Sequence, residues 1–91
     1  MRIVIRFSPS GLVGGNHGID VGRSSARYAS LLREATRREF DAAEIDIVPE
    51  EGPSVRVEVT GSTDEAAQRV ERSVLDLAWV VKQCAPWSVP G

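Results

Sequence analysis

One histidine, one cysteine, a pair of adjacent glutamates and a glycine-rich stretch are the residues of this 91-residue chain whose types suit chemistry. His17 lies in Gly-Gly-Asn-His-Gly. A general base needs a nucleophile within hydrogen-bond reach and a group that orients it, and the sequence pairs neither with His17. Cys84 stands near the other end of the chain, so no histidine–cysteine cluster has metal-ligand spacing. On the helical pattern described below, Cys84 falls on a buried stripe, where a thiol behaves as a small hydrophobe. Glu50 and Glu51 in Pro-Glu-Glu-Gly-Pro read as turn polarity rather than as an acid–base pair. Ser8–Ser25 holds five of the eight glycines. A phosphate-binding P-loop ends in Gly-Lys-Ser/Thr with another glycine five positions upstream. Here Gly22-Arg23-Ser24 replaces the lysine, and the upstream position is His17. Dinucleotide-type Gly-x-Gly-x-x-Gly spacing is absent as well. What remains is a general property: a glycine-rich segment leading into a helix can hold an anion on backbone N–H groups, with Arg23 and Arg27 adding charge. No cofactor and no metal is implied, and enzymatic activity is the least supported reading.

The elements that position these residues follow from hydrophobic spacing. Arg2–Phe7 alternates, with Ile3, Ile5 and Phe7 on one face, as a half-buried strand does. Ser24 or Ser25 is the expected cap of a helix running to about Phe40. A second strand is expected at Ala43–Val48, with Ile45 and Ile47 inward. A third is expected at Ser54–Val59, with Val55, Val57 and Val59 inward. The short link between them suits an antiparallel hairpin. Ser62 with Glu65 forms a capping-box pattern, and a second long helix continues to about Ala85, before Pro86. Ile19–Val21 is a candidate extra strand beside the first. The expected fold is a two-layer α/β sandwich. Its small mixed sheet has three or four strands, in the order strand, optional strand, helix, strand, strand, helix, with both helices on one face. Residues 1–85 form one domain and 86–91 a short tail on the surface.

Surface patterning separates the two long helices. On the first, Tyr28, Leu31, Leu32, Ala35 and Phe40 form the inward arc, while Arg23, Arg27, Arg33, Arg37 and Arg38 point away. That arginine face suits phosphate or nucleic acid. It equally suits a solvated surface partly neutralised by Glu65 or Glu71. On the second, Ala67, Val70, Val74, Leu77, Ala78, Val81 and Cys84 point inward. Leu75 and Trp79 lie one turn apart on the other side, beside Gln68, Arg72 and Lys82. An apolar pair flanked by cations has the composition of a binding hot spot, unless the tail folds over it and packs Trp87 on Trp79. The outer face of the sheet carries Arg2, Arg6, Arg56, Glu44, Asp46 and Glu58 and no aromatic residue, which argues against an RNA-stacking sheet.

Composition sets the remaining bounds. Hydrophobic residues at 42% and charged residues at 26% are ordinary for a globular domain. The net charge of −2 is uneven. Residues 23–40 are net positive, and everything from Asp41 onward is net negative. A single cysteine forms no internal disulfide and suits a reducing compartment. No segment is long and apolar enough to span a bilayer, so a cytoplasmic location is expected. Ile45–Leu77 resembles the closing strand–strand–helix of KH-type RNA-binding domains. Gly15-Asn16-His17-Gly18 is the nearest counterpart of their I-G-x-x-G turn. It lacks Lys and Arg, and the helix after it is far longer than those domains use, so no functional residue is carried over. The leading expectation is a small non-enzymatic protein-interaction or regulatory module with Leu75, Trp79, Arg72 and Lys82 at its contact surface, binding another protein or itself. The alternative is nucleic-acid or phosphate binding through Arg23, Arg27, Arg33, Arg37 and the glycine-rich segment.

Overall fold

A computed structural model of the chain describes residues 1–14, 18–52, 55–84 and 86–91. Strand β1 (Arg2–Phe7) is followed by a short helix α1 (Pro9–Val13) and a long helix α2 (Val21–Glu39). Then come β2 (Glu44–Pro49), β3 (Arg56–Thr60) and the long helix α3 (Asp64–Cys84). The three strands form one mixed sheet in the order β2-β1-β3. β1 runs parallel to β2 and antiparallel to β3.

The most apolar strand takes the centre. Ile3, Ile5 and Phe7 are fully buried, each contributing roughly 1.5–3 kcal/mol of hydrophobic stabilisation. They share one core with Tyr28 and Leu32 of α2 and with Val70, Val74, Ala78 and Val81 of α3. Thr36 is also fully buried in α2. A polar residue escapes a purely apolar wheel, but its hydroxyl donates to the Leu32 carbonyl at 2.7 Å and needs no outside partner.

The expected hairpin does not form. β2 and β3 lie on opposite sides of β1, and the link between them crosses the C-terminal end of β1. Glu50 N donates to the Phe7 carbonyl at 2.9 Å, which fixes the start of the crossing. The two glutamates then part. Glu50 forms ion pairs with Arg6 (3.3 Å) and Arg56 (3.7 Å) on the outer face. Glu51 accepts from the Ser8 hydroxyl (2.7 Å), the Ser10 hydroxyl and Ser10 N (3.2 Å). These bonds favour the ionised Glu51 and hold its pKa below the ordinary carboxylate value.

Other boundaries move for local reasons. α2 begins ahead of Ser24 because Asp20 is the cap, its carboxylate accepting from Arg23 N at 2.8 Å. Ser24 is buried instead, and its hydroxyl accepts from Val89 N at 2.9 Å. Val21 is therefore helical, and Ile19 makes only an isolated bridge to Pro90 rather than a strand beside β1. At α3 the cap is Thr63, whose hydroxyl accepts from Ala66 N at 3.3 Å. Ser62 is not part of it, and Glu65 pairs with Arg69 one turn on, at 2.8 Å. The stretch expected to be an open glycine-rich loop contains α1, which Ser8 caps and which buries Leu12 and Val13. Its Gly15-Asn16-His17 centre lies outside the described residues. Among the described residues, no helix is long and apolar enough to cross a membrane.

The tail is anchored rather than loose. Asp20 N donates to the Val89 carbonyl at 2.8 Å, and Gly91 N to the Gly18 carbonyl at 2.9 Å. Trp87 packs edge-on against Tyr28, with ring centres 6.2 Å apart, and Tyr28 packs in turn on Phe7 at 5.0 Å. Its indole N–H donates to the Lys82 carbonyl at 2.8 Å, serving one of the carbonyls left open at the end of α3. The alternative in which the tail covers Trp79 with Trp87 is not what forms: Trp87 contacts Tyr28 of the core.

Candidate protein interface

The surface of α3 is built by helical periodicity. Val70, Val74, Ala78 and Val81 are buried against the sheet and α2. At about 100° per residue, Gln68, Arg72, Leu75, Trp79 and Lys82 fall on the flank away from that line. Trp79 is 64% exposed and Leu75, one turn before it, 36%. Arg72 and Lys82 are exposed at the two ends of the stripe. Leu75, Trp79 and Lys82 line a shallow groove of ≈ 390 Å³ with Tyr28 and with Val55, just ahead of β3. The apolar flank of α3 therefore overlooks the open side of the sheet next to β3.

The sheet's outer face is a lattice of opposite charges. Arg2 donates to Asp46 through Nε (3.0 Å) and Nη2 (2.7 Å). Arg6 pairs with Glu58 at 3.0 Å as well as with Glu50. These partners are diagonal across the strand register, because Arg2 stands directly opposite Glu44 and Thr60, and Arg6 opposite Val48 and Arg56. The like-charged Arg6–Arg56 pair is bridged by the Glu50 carboxylate. All these groups are solvent-accessible, so each pair adds little to stability.

The arginine face of α2 is exposed as its spacing requires. Arg38 pairs with Glu34 at 2.8 Å, and Arg23 lies 4.0 Å from Asp20. Arg27, Arg33 and Arg37 are exposed and make no ion pair among the described residues. Among the described residues neither Glu65 nor Glu71 forms an ion pair with these arginines, and Glu65 is engaged with Arg69. The Arg23 N–H at the start of α2 is taken by Asp20, which places a carboxylate where an anion would otherwise approach.

Cys84 is exposed rather than on the buried stripe, which ends at Val81. Tyr28 is the reverse case. Its hydroxyl donates to the Ala78 carbonyl at 3.1 Å, joining α2 to α3, and burial pushes its pKa up to about 12. Val80, half exposed, widens the apolar surface of α3 on a different side of the helix from Trp79. The open edge of β3 had no local signal, because strand order is not written in any one segment. Compared with family models, with curated proteins and with solved structures, the chain matches none.

Proposed function

We propose that this chain is a non-enzymatic interaction module that docks onto protein through the Leu75–Trp79 flank of α3, with Arg72 and Lys82 at the rim. The observation that carries the reading is the 64% exposure of Trp79 beside Leu75. An indole held in water gives up hydrophobic stabilisation that burial supplies, and tryptophan and arginine are enriched among the residues that dominate binding energy where proteins meet. The test is a Leu75→Ala, Trp79→Ala double variant. It keeps its circular dichroism spectrum, because neither side chain is in the core of the single chain. It loses binding, read as mass by light scattering for self-association and as partner recovery with a tagged chain. Unchanged association and recovery in the double variant would overturn the reading.

A second reading rests on the unpaired Arg27, Arg33 and Arg37. Three free guanidinium groups on one helix suit phosphate, and this reading expects affinity for nucleic acid that falls steeply with salt.

A further inference from the structure

The sheet has two open edges, and their side chains treat a second copy of the chain in opposite ways. Along β2 the outward residues are Glu44, Asp46 and Val48, and the strand ends in Pro49. Two β2 edges placed antiparallel about Ile45 would set Glu44 against Asp46, acid against acid. Pro49 also offers no N–H to a neighbour. Along β3 the outward residues are Arg56 and Glu58. Two β3 strands placed antiparallel about Val57 set Arg56 of each against Glu58 of the other. Val55 then meets Val59 on the inner face. Both cross-strand pairs are favourable, and both arise from the two-residue spacing of opposite charges around one valine. A two-fold axis requires such self-complementarity of an interface. Above this same edge lies the groove formed by Val55, Leu75 and Trp79.

From this complementarity we infer that the partner is a second copy of the chain, joined edge to edge through β3 about a two-fold axis at Val57. The inference rests on the docking reading above and names its occupant. The joined sheet has six strands, running β2-β1-β3 and then β3-β1-β2 of the mate. The α3 helices face each other across the axis, with Leu75 and Trp79 between them. On the outer face the charge lattice continues without a break, because the carboxylate of Glu58 lies between Arg6 of its own chain and Arg56 of the mate. The unpaired backbone groups of β3, a liability in an isolated sheet, find partners. The β2 edges at the two ends stay blunted, so assembly stops at two.

The experiment uses charge reversal and mixing. Wild type gives a mass twice the 9.9 kDa of one chain by light scattering. Glu58→Arg faces arginine with arginine across the axis, and Arg56→Glu faces acid with acid. Each variant alone self-associates about tenfold more weakly, or worse. A one-to-one mixture of the two restores the dimer, because both charged cross-strand pairs are then opposite in sign. Circular dichroism confirms that each variant is folded. Should either unfold, a Val57→Cys chain in a Cys84→Ser background replaces it. The two cysteines face each other at the axis, within the 4.4–6.8 Å Cα separation a disulfide needs, and mild oxidation yields a covalent dimer. A monomeric wild type that still recovers a protein partner through Trp79 overturns the dimer and leaves the docking reading standing. So does a dimer that needs Leu75 and Trp79 but ignores both charge reversals. A chain whose associations depend on neither site removes both.

Discussion

The α2–β2 half and the α3–β3 half of this domain are built alike and finished differently. Each is a long amphipathic helix over an edge strand, and each lends its apolar stripe to one core around β1. Beyond the core they diverge. The α2–β2 half turns arginines outward, carries acids along its strand and ends that strand in proline. The α3–β3 half leaves an indole and a leucine on its helix flank, above a strand whose charges balance. Core and proposed contact surface are thus separable in a chain of 91 residues. Both halves stabilise the fold, and only one is finished like an interface.

The comparison breaks first on stability. Leu32→Ala, which opens a cavity beneath α2, lowers the unfolding free energy by about 2–5 kcal/mol in urea titration. Trp79→Ala, measured at a concentration where the chain is monomeric, changes it by less than about 1 kcal/mol. An equal loss from the two would make Trp79 part of the core and erase the difference between the halves.

Tyr28 tests the seam between them. It belongs to α2, yet its hydroxyl is bonded to α3. Its folded pKa of about 12 lies above the ordinary value of 10.0, so the fold favours the neutral phenol. That contribution is fully present below about pH 10 and is lost as the pH rises through 12. Tyr28 is the only tyrosine, so phenolate absorbance reports it directly and shows titration displaced upward. Tyr28→Phe removes this pH-dependent component while costing about 0.5–1.5 kcal/mol for the lost hydrogen bond.

The smallest effect on stability is expected at the arginine face. Arg33→Ala with Arg37→Ala shifts the unfolding free energy by no more than about 0.5 kcal/mol. A mobility shift with duplex DNA or single-stranded RNA at low salt, abolished by this double variant, would make α2 a binding face too. No shift for wild type leaves the contrast between the halves intact.

Sequence periodicity reveals the elements of this fold better than their arrangement. β1 is legible to the residue, because alternation between Arg2 and Phe7 is complete and Ser-Pro follows. The flank of α3 is legible as well, since a helical wheel needs only residues from one segment. The caps are one short step harder. Asp20 and Thr63 compete with the neighbouring serines, and the contest is settled by Val89 and by Ala66 N, the first of them far along the chain. The strand order is not legible locally. A short link between two valine- and isoleucine-rich strands suits a hairpin, and only the greater apolarity of β1 explains why it comes between them. The same holds for the tail, whose place depends on a buried tyrosine ring offering its edge to Trp87. Of the contact surface, the Leu75–Trp79 half is local and the β3 half depends on topology.

Because β2 and β3 each pair with β1 and not with one another, the first seven residues hold a position out of proportion to their number. Deleting them would not trim the sheet to a smaller one; it would leave two strands with no backbone partner. Along the chain β1 precedes both of its neighbours, and the second of them, β3, is complete only at Thr60. Cooperative formation of the whole sheet must therefore wait for most of the chain, and no shorter N-terminal piece contains a complete set of strands.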